Sequence, residues 1–220
     1  MGKRVLVFGT TMFSAEIAEI LRLNNVEVLG FVVDAKFKHD DKYQNLPVFV
    51  FEDIEDHVDI STTEFALTLG YSEMNEYREL KYRICKSKGY QVFTFISPQA
   101  QVFSEQIGEG SLILPGAYVG PYSQLGICTV VRPGTVLAHH DLIGDYNWIA
   151  DGCTFGGGVK MGSFCFIGLG TTIRNEISIA DYTFIGAHSY IRKNTNNNGV
   201  YYGVPATETG KTSKDVIKLV

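Results

Sequence analysis

Long apolar runs and an excess of basic residues are both missing from this sequence, and each absence excludes a class of protein. No apolar run is long enough to cross a bilayer, and Met1–Arg4 lead into a short strand-like segment rather than a signal peptide. The net charge is −5, so the sequence lacks the basic surface that binds nucleic acid. We therefore expect a cytoplasmic protein with no nucleic-acid partner and no membrane insertion.

Cysteine is also scarce. The chain has four cysteines, and none of them has the paired spacing that metal and redox motifs show (Cys85, Cys128, Cys153 and Cys165). We interpret them as small buried thiols in a reduced protein. The sequence therefore predicts no metal cofactor and no disulfide framework.

A six-residue repeat runs from Ile107 to Thr195. When the chain is divided into hexapeptide blocks from Ile107, all fifteen blocks open with an apolar residue, and the second place is Gly or Ala in eleven of them. A six-residue period fits neither an amphipathic helix nor strand alternation, and it is the signature of a parallel β-helix. We expect the opening residues to fill the interior beside mostly small fifth-place residues. Glycine in the second place is expected to supply corner torsions that a Cβ would oppose.

Residues 1–95 follow a different pattern, in which strand-like and helical segments alternate. Strands are predicted at Arg4–Phe8, Val26–Val33, Pro47–Phe51, Glu64–Leu69 and Gln91–Phe95, and helices at Ala15–Leu23 and Tyr71–Lys88. This alternation predicts a small α/β Rossmann-like domain. The expected organisation is this domain at 1–95, an all-β parallel β-helix of hexapeptide repeats at 96–195 and a C-terminal cap segment at 196–220.

In such an α/β domain, ligands bind beyond the carboxyl ends of the strands. Backbone N–H groups near Gly9 and Thr10 are placed to receive a phosphate at a helix N-terminus, and Asp34 is placed to take a ribose hydroxyl. The Gly-x-Gly-x-x-Gly fingerprint is absent, however. A plain structural turn with a surface aspartate therefore remains the alternative interpretation.

The block Leu137–Leu142 breaks the small-residue rule, because His139, His140 and Asp141 fill its third, fourth and fifth places. A carboxylate in an inward fifth place needs a partner, since burial of a lone carboxylate is costly. A histidine oriented through one ring nitrogen can act as a general base through the other. We therefore take these three residues as catalytic candidates. The alternative is that the two imidazoles are ordinary surface groups.

Several motifs together resemble those of bacterial sugar O-/N-acetyltransferases of the sialic-acid O-acetyltransferase type. The resemblance covers nearly the whole chain and rests on LGYSEMNEYRELKY, the boundary ISPQA, the hexapeptide run and the closing GVYYGVPA. It implies that the β-helix is left-handed and that the protein is a homotrimer with its active sites in the clefts between β-helices. It also implies acetyl-CoA as cosubstrate and a sugar or nucleotide-sugar acceptor, most often the amino group of a nucleotide-linked amino-deoxysugar.

The resemblance also implies roles for individual residues. His139, four residues before the Ile143-Gly144 pair, matches the general base, while His140 stands where the family often has an acid; whether Asp141 takes that role is left open. The coenzyme would contact Trp148, Gly156, Gly157, Leu169, Gly186 and Ala187. The nucleotide of the acceptor would contact Gly9, Thr10, Asp34, Gly70, Tyr71, Asn75 and Arg78.

Three other functions are weighed against N-acetyl transfer. The first is O-acetyl transfer to a sugar hydroxyl on the same scaffold. The second is a metal-dependent hydro-lyase similar to γ-type carbonic anhydrases, which would need three converging imidazoles. The third is a non-catalytic β-helix that binds a sugar or a protein partner. Binding of coenzyme A distinguishes the enzyme from the scaffold.

Overall fold

The computed structural model describes residues 3–217, which form two compact units. The first unit combines the described residues up to Gly70 with Leu80–Phe93, and the second combines Tyr71–Glu79 with the described residues from Thr94 onward. Among residues 3–217, no helix has both the length and the apolar character needed to cross a membrane.

The first unit is built on a six-stranded sheet of order β3-β4-β2-β1-β5-β6. Its strands are β1 (Arg4–Phe8), β2 (Glu27–Val33), β3 (Lys42–Tyr43), β4 (Leu46–Val50), β5 (Thr63–Ala66) and β6 (Gln91–Val92). All pairs are parallel except β3 with β4. Helix α1 (Met12–Leu23) begins after Thr11, whose side chain accepts the Ser14 N–H in a capping box. Helix α2 spans Glu76–Ser87.

The prediction of a Rossmann-like domain is wrong. A doubly wound domain carries a helix in the crossover between successive parallel strands. Between β2 and β5 the chain instead forms short 3₁₀ turns at Ala35–Phe37, Phe51–Asp56 and Ile60–Thr62. The polar loop after β2 lacks the apolar three-four spacing that a crossover helix would bury against the sheet. Within the described residues, only α1 and α2 are available to this unit as α-helices.

The second unit is a parallel β-helix with three faces. Face 1 contains β8 (Gln101–Val102), β10 (Tyr118–Val119), β13 (Val136–Leu137), β16 (Thr154–Phe155), β19 (Thr172–Ile173) and β22 (Tyr190–Ile191). Face 2 contains β11 (Gln124–Leu125), β14 (Leu142–Ile143), β17 (Lys160–Met161) and β20 (Ser178–Ile179). Face 3 contains β7 (Phe95–Ile96), β9 (Leu112–Ile113), β12 (Val130–Val131), β15 (Trp148–Ile149), β18 (Phe166–Ile167), β21 (Phe184–Ile185), β23 (Gly199–Gly203) and β24 (Ala206–Thr212). The described chain ends in α3 (Ser213–Ile217).

Stacking in the β-helix follows the repeat. Residues 18 positions apart pair in parallel, as Tyr118 does with Val136 and Trp148 with Phe166. The opening residues of the blocks therefore form continuous interior columns, and Ile149 and Ile167 are completely buried. Burial of these columns is the main favourable term that holds the coils together.

The second-place glycines have a different purpose from the one expected. None of them has positive φ; instead, a Cβ on Gly120 would lie 2.0 Å from the carbonyl oxygen of Ala138 in the next coil. The left-handed backbone occurs at the fourth place, at Gly134 (φ 69°) and even at Tyr146 (φ 54°). Glycine is needed in the second place because successive coils approach closely there, so the expectation about corner torsions at this place is wrong.

The fifth-place side chains join successive coils by hydrogen bonds. Ser123 illustrates the pattern: its Oγ accepts the N–H of Asp141, 18 residues on, at 3.1 Å and donates to the Ala138 carbonyl, 15 residues on, at 3.0 Å. Asn147 does the same with the Cys165 N–H and the Gly162 carbonyl. These bonds satisfy corner amides and carbonyls that the short strands leave unpaired.

Candidate active site

His139 and His140 lie on the corner between face 1 and face 2, here called the histidine corner (residues 138–141 and the turns stacked on them, 156–159 and 174–177). Both side chains are exposed, and the turn that carries them is bonded to the coils on either side. The His140 N–H donates to the Pro121 carbonyl at 3.1 Å, and the His139 carbonyl accepts the Gly158 N–H at 2.9 Å. The two imidazoles therefore stand on a fixed backbone.

The two imidazoles are in direct contact. Nδ1 of His139 lies 3.0 Å from Nδ1 of His140, and the ring planes are nearly perpendicular, at 87°. The His140 ring also lies 4.7 Å from the ring of Tyr122. Because Nδ1 of His139 is occupied by this contact, Nε2 is the nitrogen that remains for proton transfer.

Gly157 lies directly against the His139 ring. A Cβ at position 157 would be 2.5 Å from Cε1 and 2.7 Å from Nε2 of His139. Only glycine leaves room for the imidazole in this position, since a side chain would displace the ring. Gly157 thus has a steric purpose at the histidine corner.

Asp141 points into the β-helix and is completely buried. Its Oδ1 accepts the Val159 N–H at 2.8 Å, which is the fifth-place hydrogen bond to the residue 18 positions on. Its Oδ2 is buried and has no hydrogen-bond partner among residues 3–217. Asp141 therefore occupies a position like that of Asn147, joining coils rather than lying beside His139 and His140 on the surface.

The buried carboxyl group of Asp141 is hard to ionise. Burial raises its pKa from the ordinary value of 3.8 to about 6, against the opposing effects of the Val159 N–H and of the charge on His139. Burial favours the protonated, neutral form of this carboxyl group, because ionisation would place charge on an unpartnered oxygen in an apolar interior. This argues against Asp141 as a permanently charged partner for a catalytic imidazole.

A cavity of about 410 Å³ lies at a different corner, between face 3 and face 1. We call it the cavity corner; it comprises the stacked turns at residues 132–135, 150–153, 168–171 and 186–189. The wall of the cavity is mostly apolar and includes five aromatic side chains (Tyr71, Trp148, Phe166, Phe184 and Tyr202). Arg132 and Asp151 form an ion pair in it. Aromatic surface with a few polar groups is typical of small-molecule sites.

The predicted coenzyme residues divide between these two corners. Trp148, Leu169, Gly186 and Ala187 line the cavity, whereas Gly156 and Gly157 belong to the histidine corner. In a single chain the two groups are separated by the width of face 1. One chain therefore does not bring the two groups of predicted coenzyme residues together.

The predicted nucleotide residues also separate. Gly9, Thr10 and Gly70 are partly exposed in the first unit, where Asp34 is buried in an ion pair with Lys81 (Oδ1 to Nζ 2.5 Å). The Lys81 ammonium also lies over the rings of Phe8 and Phe51. Asp34 is therefore held by a cation of its own unit rather than being the surface carboxylate that the sequence suggested.

Asn75 and Arg78 lie in the second unit and are completely buried. The Arg78 guanidinium donates to the carbonyls of Cys128 and Asn147 at 2.9 and 3.1 Å, and the Asn75 amide donates to the Cys165 carbonyl. Burial lowers the pKa of Arg78 to about 10, which leaves it charged at neutral pH. These contacts attach the 71–79 segment to the β-helix and leave neither side chain open to a ligand.

The cysteines are buried free thiols, which agrees with their interpretation from the sequence. Burial raises the pKa of Cys85, Cys153 and Cys165 to about 12. A thiol is a nucleophile only as the thiolate, so these groups are poor candidates for a covalent acyl-enzyme. Among the described residues, no cluster of three or more His, Cys, Asp or Glu side chains could hold a metal ion.

No protein-family model and no curated protein matches this sequence. Solved structures do match. The acetyltransferase domain of PglB from Neisseria gonorrhoeae FA1090 superposes with a TM-score of 0.85 at 20% identity, covering 94% of this chain and 100% of that one. The same domain has been solved with acetyl coenzyme A, with a TM-score of 0.85 at 19% identity over 95% and 100% of the chains.

PerB from Caulobacter crescentus, solved with CoA and GDP-perosamine, has a TM-score of 0.83 at 22% identity and covers 96% of this chain and 98% of its own. A histidine-to-alanine mutant of the GDP-perosamine N-acetyl transferase of that organism has a TM-score of 0.71 at 19% identity, over 96% and 98% of the chains. At these identities the likeness shows the fold. These neighbours are an acetyltransferase domain and a GDP-perosamine N-acetyl transferase, not enzymes of the sialic-acid O-acetyltransferase type.

Sequence reasoning assigned Trp148, Leu169, Gly186, Ala187 and Tyr71 to the site but missed Phe166, Phe184, Arg132 and Asp151 in the cavity wall. Phe166 and Phe184 stack on each other and, with Trp148, form a column on face 3 at intervals of 18 residues. Tyr71 contacts Trp148 and Phe166 edge-on from the 71–79 segment. The sequence contained a signal for this aromatic column. Every third block contributes a strand to face 3, and its sixth place is large and apolar, which predicts that this face is covered.

Proposed function

We propose that this protein is an acetyl-CoA-dependent sugar N-acetyltransferase whose acceptor is the amino group of a nucleotide-linked amino-deoxysugar. The observation that carries the proposal is the exposed His139 imidazole, fixed by its Nδ1 contact with His140 and seated against Gly157. A base with one nitrogen engaged and the other free can take a proton from an attacking amine. The fold shared with PglB and PerB supports the same chemistry, because those proteins are solved with acetyl-CoA or with CoA and a nucleotide sugar.

The reaction we propose is direct transfer. The acceptor nitrogen attacks the thioester carbonyl while His139 Nε2 removes its proton. The tetrahedral intermediate then collapses with cleavage of the C–S bond, and the protonated His139 returns the proton to the thiolate of the coenzyme, which leaves as the free thiol. A backbone N–H of the glycine run, from Gly157, would stabilise the oxyanion. The inert buried thiols favour this route over one through an acyl-cysteine.

The coenzyme would lie against the apolar cavity lined by Trp148, Leu169, Gly186 and Ala187. Since this cavity and His139 occupy different corners of one chain, we propose a homotrimer in which the histidine corner of one copy meets the cavity corner of the next. Acceptor selection is assigned to Gly9, Thr10 and Gly70.

Thiol release from acetyl-CoA with a panel of nucleotide-linked amino sugars tests the proposal. Release that requires one of these acceptors supports it. Release only with sugars that offer a hydroxyl group would replace it by O-acetyl transfer. Absence of coenzyme A binding in calorimetry would contradict any acetyl-CoA enzyme and leave a binding scaffold.

A further inference from the structure

The contact between His139 and His140 joins two identical atoms, Nδ1 to Nδ1 at 3.0 Å. Such a contact is a hydrogen bond only if one nitrogen carries the proton and the other does not. If His139 carries it, the lone pair of His139 is on Nε2 and is available as a base. If His140 carries it, Nε2 of His139 is protonated and cannot accept a proton.

Other candidates for an orienting group are excluded by their positions. Asp141 is turned into the β-helix, and its bonded oxygen is engaged by the Val159 N–H. Tyr122 faces the His140 ring rather than that of His139. His140 is therefore the side chain that the structure places on Nδ1 of His139.

The backbone fixes His140 in this position. Its φ of 61° is in the left-handed region, and its N–H is bonded to Pro121 of the preceding coil. The left-handed backbone and the contact with the Tyr122 ring hold the imidazole in its position beside His139. A non-glycine residue with this torsion is held there by its surroundings.

We propose that His140 is the positioning residue for His139: its Nδ1 accepts the Nδ1–H of His139 and keeps the His139 lone pair on Nε2. Both the assignment of His139 as the base and the choice of His139 as the hydrogen-bond donor rest on the proposed function, whereas the measurement of its tautomer needs no enzymatic activity.

Two substitutions at position 140 distinguish a hydrogen-bond acceptor from a side chain with a purely structural role. His140→Ala removes the acceptor. His140→Asn keeps an oxygen acceptor near the same place, and asparagine tolerates the left-handed torsion well. His39→Ala is the control, because His39 is an exposed histidine of the first unit and belongs to neither corner.

Long-range ¹H–¹⁵N NMR of the imidazoles gives a readout that needs no enzymatic activity, with His139→Ala used to assign the signals. We expect His139 to be the Nδ1–H tautomer in the full chain, in His140→Asn and in His39→Ala. In His140→Ala it should revert to the Nε2–H form that isolated histidines favour. An Nδ1–H form that persists in folded His140→Ala overturns the proposal, whether or not the protein transfers acetyl groups.

Kinetics provide the second readout once an acceptor is known. His140→Ala should lower kcat on the order of 10- to 100-fold, the usual effect of losing an orienting partner, with KM for acetyl-CoA nearly unchanged. His140→Asn should recover most of the lost kcat. Wild-type kcat in His140→Ala, or equal losses in the alanine and asparagine variants, contradicts the proposal. A wild-type protein that transfers no acetyl group would instead contradict the proposed function.

Discussion

Replacing Asp141 by asparagine should stabilise the protein above pH 6. The Asp141 side chain is completely buried, and Oδ2 has no hydrogen-bond partner within residues 3–217. Burial raises the pKa from 3.8 to about 6. A rise of about two units corresponds to about 3 kcal/mol at about 1.4 kcal/mol per unit, which is the upper bound on the cost of holding this carboxylate in the folded protein.

The pH range follows from the direction of the shift. The folded protein binds the Asp141 proton more tightly than the unfolded chain does, so the cost is absent below pH 3.8 and grows as the pH rises toward 6. Above about pH 6 the cost is complete. An asparagine has no charge to lose, so Asp141→Asn should match the wild type near pH 4 and exceed it at pH 8 by up to about 3 kcal/mol.

Asparagine is also expected to fit the site. Asn147 occupies the fifth place of the following block, where its amide donates to the Gly162 carbonyl, 15 residues on, and its oxygen accepts the Cys165 N–H. By the same register, an asparagine at position 141 can donate to the carbonyl of Gly156. The substitution therefore provides a donor that the ionised aspartate lacks.

Urea denaturation followed by circular dichroism at pH 4 and at pH 8 measures the effect. Asn147→Asp is the matched reverse substitution and should destabilise the protein increasingly as the pH rises, since it places a carboxylate where an amide donates to Gly144 and Gly162. A loss of stability in Asp141→Asn at pH 8 would refute the reasoning. It would mean that the Asp141 carboxylate has a partner that prefers the charged form.

Two further substitutions test other parts of the structure. Gly157→Ala should lower kcat on the order of 10²-fold with little loss of stability, because the new Cβ would displace the His139 ring by about 1 Å. Gly210→Ala is the control and should leave kcat unchanged, because a Cβ at position 210 meets nothing within 4 Å. An active Gly157→Ala enzyme would contradict the placement of the base. Arg78→Met should lower the free energy of unfolding by about 2–4 kcal/mol in urea titrations, since it leaves the Cys128 carbonyl buried without its donor. An unchanged free energy of unfolding would show that the guanidinium is not needed there.

The repeat made the β-helix predictable from the sequence. A period of six residues, with three faces to a coil, places residues 18 apart side by side, and the structure pairs Tyr118 with Val136 as this arithmetic requires. The same arithmetic located His139 and His140 on a corner and turned Asp141 inward. Local pattern was sufficient here because every coil repeats the same contacts.

The first unit was less predictable because its contacts are not local. Strand-like and helical segments were recognised, yet the connections after β2 form 3₁₀ turns rather than crossover helices. Asp34 pairs with Lys81, which lies 47 residues further along the chain. No local pattern signals such an ion pair, so the carboxylate looked available for a ribose.

The 71–79 segment shows a second limit of sequence reasoning. Helix α2 was expected to begin near Tyr71, but Glu73, Met74 and Asn75 have positive φ and the helix begins at Glu76. These torsions bring Asn75 and Arg78 to main-chain carbonyls of the β-helix that lie 90 and 50 residues further along the sequence. Tertiary hydrogen bonds thus override the helical pattern of the sequence.

The central claim, that His139 is the base of an acyl transfer, is tested most directly by single-turnover thiol release from acetyl-CoA in the presence of a nucleotide-linked amino sugar. The comparison is between the wild type and folded His139→Ala, with coenzyme binding measured on both. We predict that His139→Ala binds coenzyme A normally and releases thiol about 10²- to 10⁴-fold more slowly. Thiol release at a near-normal rate by His139→Ala would contradict the account.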